Sequence, residues 1–421
     1  MRGRWIALWG ALVVALAGTV AACGSDNKSS GGGGGSTSSS GGGGTLNVYS
    51  SLPLQGASRP QSEDVIKGEK LALKEHGNKA GGFDIKFISL DDSTAAEGKW
   101  DAGQTKSNAR KVAQDDKAIA YLGEFNSGAS ANSIPTTNQA GILQVSPSNT
   151  ALGLTKSGDG AASGEPDKYY PTGNRTYGRV VPIDTIQGAA QAQYMKDEGV
   201  TSVYILNDQE VYGLGVAANT KSAAEKLGIK IAGEDGWDGK AANYRALASK
   251  IKSSGADAVF TGGIIDNNAP QLYKDLHAAM PDADLFGPDG VATVDFTKEI
   301  PADVQAKTYL TAPTVSPDEL PPAGQKFYKD YEAEYGEPQD QIDPYAVYGY
   351  EAMDAVLDSI DQGKDDRAAV VKAFFSIKDK DSVLGTYSID PDGDTTLTTY
   401  GAYIAKGGKL VFSKSIKAAT S

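Results

Sequence analysis

Residues 118–150 read AIAYLGEFNSGASANSIPTTNQAGILQVSPSNT. An apolar run at 118–125 is followed by a helix-like stretch near 128–140 and a second apolar run at 142–148 that ends in hydroxyls. Short apolar runs without polar alternation suit strands buried on both faces, and strands joined through helices lie parallel. Outward from this unit the rhythm repeats. Toward the N-terminus stand LNVYS (46–50), a helix from Ser62, DIKFISLDD (84–92) and a helix around 99–115. Toward the C-terminus a Gly-, Ser- and Pro-rich loop fills 155–178. Helices then follow at 184–199, 213–227, 243–254 and 267–279, alternating with VYILND (203–208), IKIAGED (229–235), AVFTGG (258–263), DLFGPDG (284–290) and KTYLTAP (307–313). Two alternating runs separated by a loop predict an α/β protein of two doubly wound parallel-sheet lobes. The tail adds helices at 322–335, 343–361 and 366–375 and strand-like pieces at 384–389 and 396–413, which return to complete those lobes.

Upstream of this body the chain reads differently. Arg2 and Arg4 precede an uncharged apolar run from Trp5 to Ala17, then Val20-Ala21-Ala22 and Cys23. This is the layout of a signal peptide over residues 1–22. Small residues directly before the only cysteine resemble a bacterial lipobox, so Cys23 is expected to carry lipid and hold the protein on the outer face of the cell membrane. Residues 26–44, DNKSSGGGGGSTSSSGGGG, cannot build a core and read as a tether with an r.m.s. span of roughly 25 Å. One cysteine permits no internal disulfide, so the body is held by core burial. A formal net charge of −13 without a Lys/Arg run argues against nucleic acid as a partner.

In open parallel sheets ligands sit beyond the carboxyl ends of the strands. Ser127 stands there at a helix start, offering a hydroxyl, free N–H groups and the positive end of the dipole to an anion. Thr150 adds a second hydroxyl after the next strand, and Asp289, after DLFG, could pair with an ammonium group. Each also has a plain reading, as a helix cap, a loop residue and a turn residue.

In order along the chain, Gly68, Asp91-Asp92, GEFNSGAS (123–130), SPSNT (146–150), RVVPIDTIQG (179–188), NDQEVYG (207–213), GPDGV (287–291), AVYGYEAMDA (346–355) and DPDGD (390–394) resemble the leucine/isoleucine/valine-binding protein family, type I periplasmic binding proteins that serve ABC importers. The resemblance spans nearly all of 45–413. It implies a three-crossover hinge near Pro182, Pro313 and 397–400, with one lobe from 45–181 plus 313–397 and the other from 182–312 plus 398–421. By position, Ser127 and Thr150 match the pair that binds an α-carboxylate, and Ser148 the carbonyl that meets the α-ammonium. Asp289 matches the acid paired with that ammonium. Tyr212 matches an aromatic cover from the second lobe, Tyr350 a further aromatic wall, and Gln61 a contact from the first loop. Ile264 stands where branched-chain binders often carry an aromatic residue. The resemblance implies a monomeric binding protein with no cofactor, which closes on an amino acid of branched-chain type and docks on a membrane permease.

Three rivals remain in view. An enzyme would need a nucleophile beside a histidine, yet His76 and His277 lie in helix-like segments away from strand ends. The acidic run Asp390–Asp394 lacks the glycine and glutamate of a calcium loop and reads as a solvated hairpin turn. The same fold could serve as a ligand-sensing receptor domain, or bind a short amide or an aromatic carboxylate.

Overall fold

The computed structural model describes residues 43–418. The leader, Cys23 and nearly all of the tether lie outside the described residues. Two sheets organise the body. The first runs in the order Lys79–Ala80, Phe83–Asp91, Thr45–Leu52, Ala118–Gly123, Leu143–Ser146, Tyr177–Arg179, all parallel except its two-residue edge strand. The second runs Lys230–Gly236, Ser202–Asn207, Ala258–Gly262, Asp284–Gly287, Thr308–Ala312 in parallel, then Thr399–Lys406 and Lys409–Lys417 antiparallel. The fold class is therefore as expected, two doubly wound lobes.

The central strands are buried along their length. Ala118–Gly123 and Ala258–Gly262 expose no residue, which is why they read as continuous apolar runs. One core packs Val48, Leu122 and Val145 against Val65 of the first helix and Val347, Val356 and Phe374 of the tail helices. The second sheet has a core on each face, one around Leu206, Leu272 and Phe296, the other around Ile205, Val216 and Phe260.

Several boundaries differ from the sequence reading. The first helix is Arg59–Glu75, beginning before Ser62 because Pro60 falls in the first turn, where a missing N–H costs no hydrogen bond. The helix expected around 99–115 is Ala102–Ala113, started by Asp101, whose side chain accepts from Gln104 N at 2.8 Å. The residues before it form a small hairpin, Ser93–Thr94 with Lys99–Trp100.

The chain passes between the sheets three times, and a tyrosine hydroxyl meets the backbone at two of the passes. Tyr400 donates to Pro182 O at 3.0 Å and Tyr348 to Pro313 O at 2.7 Å, while Tyr403 donates to the neighbouring Thr314 O at 2.7 Å. The third pass leads from Thr395 into Thr399–Lys406.

The acidic turn at 390–394 is not solvated as expected. Asp394 is 2% exposed and accepts from Arg179 Nε at 2.7 Å, with Lys156 Nζ at 3.1 Å from its other oxygen. Arg179, itself wholly buried, also donates to Asn149 O at 3.0 Å, Ala151 O at 2.9 Å and Thr155 Oγ1 at 2.5 Å. Four of the five N–H donors of that guanidinium are engaged and its charge is paired, which is what makes it tolerable when buried.

Candidate functional site

Ser127 opens the helix Ser127–Gln139, and its Oγ lies 3.4 Å from Ala151 N, which donates to it. The N–H groups of such a first turn have no partner within their own helix. Trp100 roofs this end: a Cβ on Gly128 would sit 2.7 Å from the indole, so only glycine lets the ring lie over the helix start. Thr150 is fully buried, and its hydroxyl has no partner among the described residues. Ser148 is buried beside them and donates from Oγ to Phe125 O at 2.9 Å.

The opposite wall is acidic. Asp289 accepts from the Tyr212 hydroxyl at 2.7 Å through one oxygen and from the Tyr345 hydroxyl through the other. Tyr345 stands edge-on to Phe125, with ring centroids 5.4 Å apart. Asp184 begins the helix Asp184–Asp197 just past the first crossover, and its backbone N–H donates to Thr150 O at 2.8 Å. Both carboxylate oxygens of Asp184 are buried without a hydrogen-bond partner, as is Oε1 of Gln187 one turn on. Burial pushes the Asp184 carboxyl up to about 8. The Thr150 hydroxyl eases that rise without completing a bond, and nearby Asp289 adds to it. Asp289 is likewise raised by burial, with Tyr345 and Tyr212 drawing it back.

The site therefore joins a hydroxyl-lined helix start to an acidic wall on which Asp184 and Gln187 present acceptors that lack donors. A carboxylate suits the first and an ammonium group the second, since an ammonium brings three N–H donors and a positive charge. Nothing in the arrangement pairs a nucleophile with a base.

Of the residues expected from sequence, Ser127, Ser148, Thr150, Tyr212 and Asp289 converge here. Ile264 joins them from behind: its Cγ2 would lie 3.1 Å from a Cβ on Gly290, and its N–H donates to Asp208 at 3.1 Å. Two others lie elsewhere. The Tyr350 hydroxyl donates to Glu75 at 2.6 Å and its ring packs on Phe327, because a step of five residues along the helix turns it away from Tyr345. Gln61 is buried against Asp64 and Asp343 in a separate cavity. Sequence reasoning missed Asp184, Gln187 and Tyr345. Asp184 hid as an ordinary first-turn acid, although it follows Pro182 within the quoted RVVPIDTIQG.

Residues from both sheets also clasp one another around the site. Glu210, before the helix Val211–Lys226, pairs with Lys99 and accepts from Trp100 Nε1 at 3.0 Å. Lys99 Nζ further donates to Asn267 at 2.7 Å, and Asp266 takes the N–H groups of Ala57 at 2.7 Å and Ser58 at 3.1 Å.

The family described as "Periplasmic binding protein" matches residues 45–409. An "Amino acid binding protein" of Pseudomonas aeruginosa is 26% identical over 354 residues, covering 83% of this chain and 87% of its own. Among solved structures, the leucine binding protein LivK of Thermotoga maritima aligns with a TM-score of 0.77 at 20% identity, over 88% of this chain and 99% of that one. The branched-chain amino acid transporter substrate binding protein LivJ of Streptococcus pneumoniae, in complex with isoleucine, gives 0.75 at 20% identity, over 89% and 99%.

Proposed function

This chain belongs to the periplasmic binding protein family and is a binding protein rather than an enzyme; from that premise we propose that it is the extracytoplasmic substrate-binding lipoprotein of an ABC importer, with an α-amino acid as its ligand. The relatives named for leucine and isoleucine make a branched-chain amino acid the first ligand to test. The observation that carries the reading is the division of the site: Ser127, Thr150 and a helix start on one side, and on the other the donor-free carboxylate of Asp184 beside Asp289, which Tyr212 and Tyr345 hold in place. A zwitterion answers both halves at once, whereas a simple carboxylate would leave the acidic half empty.

Closure follows from where these groups sit. We assign Ser127, Ser148 and Thr150 to a lobe of 45–181 plus 313–397, and Asp184, Tyr212 and Asp289 to a lobe of 182–312 plus 398–421. A ligand held by both lobes binds the closed state better than the open one, and only such differential contact shifts the equilibrium. The clasp of Lys99 and Trp100 on Glu210 forms in the same movement. Lipid on Cys23 and the flexible tether would keep the body near its permease, to which the closed form docks as a monomer.

Calorimetry with L-leucine and its deaminated analogue 4-methylpentanoate tests the assignment. Asp289→Ala is expected to weaken leucine about 10- to 100-fold, the 1.5–3 kcal/mol of a charge-assisted hydrogen bond, and the analogue hardly at all. Equal losses for the two would remove the ammonium role. Palmitate labelling that persists in Cys23→Ala would remove the anchor.

A further inference from the structure

Beside the Asp184–Asp289 site lies a second space, a cavity of about 470 Å³ lined from both sheets' sides. Gln61 and Asp64 of the first helix face it together with Asp343, while Thr293, Asp295 and the turn at Gly407 close the far side. None of its lining residues belongs to the amino-acid site, but short links join the two. Thr293 follows Asp289 by four positions, and Asp343 Oδ1 accepts at 2.9 Å from the backbone of Tyr345, whose hydroxyl holds Asp289. Its volume is within the range of about 300–1,000 Å³ usual for small-molecule sites.

Carboxylates outnumber cations around this space, and the cations are engaged. Lys67 pairs with Asp64 at 2.7 Å and Glu337 at 2.6 Å, Lys298 with Asp295 at 3.3 Å, and Lys409 with Asp340 at 2.6 Å. Asp343 is left with no cation, and burial pushes its carboxyl up to about 8. Gln61, only 3% exposed, turns its amide toward Asp343, yet the amide nitrogen completes no hydrogen bond. A buried amide nitrogen left idle costs about 1–3 kcal/mol, so a partner is expected there in the working state. No cluster of three or more potential metal ligands occurs among the described residues, which turns attention to an organic cation.

We infer that this cavity is a cation subsite, in which an ammonium or guanidinium group pairs with Asp343 and the ionised Asp343 takes up the Gln61 amide. Two sources share that chemistry. One is the basic tail of an amino acid whose head occupies the Asp184–Asp289 site, which rests on the function proposed above. The other is a separate small amine, bound only while both walls are together.

Calorimetry on the full mature chain separates them, using L-leucine, L-lysine, L-arginine and putrescine, the last with and without saturating leucine. Lysine or arginine binding at least 10-fold tighter than leucine, with the advantage lost in Asp343→Asn and in Gln61→Leu, supports the tail. Leucine binding tighter, with putrescine binding to the leucine-loaded protein and weakening at least 10-fold in either variant, supports the free amine. If leucine binds but no cation responds to either substitution, the subsite is overturned and the proposed function stands. If putrescine binds through Asp343 while no amino acid binds, the subsite stands and the proposed function falls. No binding by any of the four compounds overturns both.

Discussion

Two buried aspartates lie near Arg179 and are built on opposite terms. Asp394 receives the guanidinium directly, gains Lys156 as well, and is held below the usual carboxylate range despite its burial. Asp184 feels Arg179 only at a distance, has no donor on either oxygen, and is pushed up to about 8. Among the described residues Arg179 is the one buried guanidinium, and it joins the 149–156 segment to the 390–394 turn. The difference teaches how to tell a structural charge from a functional one. The structural charge arrives with its partners, and the functional one awaits them.

The largest effect should come from breaking the paired site. Asp394→Ala leaves Arg179 buried and uncompensated, and urea denaturation should show a loss of about 3–5 kcal/mol. A loss below about 1 kcal/mol would mean that the pair does not hold the turn. At the unpaired site the same kind of change should do the reverse. Asp184→Asn is expected to weaken amino-acid binding about 10- to 100-fold while the ligand-free fold keeps or gains stability. The sign with pH is fixed by the direction of the shift. An acid whose carboxyl is raised on folding contributes stability that is whole below the unfolded value near 4 and is lost as pH climbs through about 8. Stability of Asp184→Asn relative to the parent should therefore grow from pH 5 to pH 8, and a gap that stays constant would show that Asp184 titrates normally. The smallest effect belongs to the clasp. Lys99→Ala removes a partly exposed ion pair that on the proposed closure forms with the ligand bound, and should raise the Kd about 2- to 5-fold, the scale of 0.2–1 kcal/mol, with no change in the melting of the ligand-free protein.

Much of this was legible before any coordinates. Apolar runs in alternation with helical segments pointed to two parallel sheets, because burial on both faces leaves a continuous apolar run that needs no partner to be read. That Ser127 and Thr150 lie together at the strand ends was legible because residues just after parallel strands share one edge of the sheet. What escaped depended on distance or phase. Arg179 and Asp394 are 215 positions apart, so the acidic turn looked solvated. Tyr345 and Tyr350 belong to one aromatic-rich segment, and only helical phase decides which ring reaches Asp289. The hairpin of Ser93–Thr94 and Lys99–Trp100 has strands of two residues, too short for any alternation to register.

The hydroxyls that meet the backbone beside Pro182 and Pro313 have a mechanical consequence. Two of the three chain passes are pinned in this way, so on the proposed closure they act as a pivot that restrains twisting and sliding of the halves. On that reading the empty protein searches few orientations before it shuts, and little rotational freedom remains to be given up when a solute arrives. Part of the binding free energy is in this sense stored beforehand in the pivot, at a distance from any atom the solute touches.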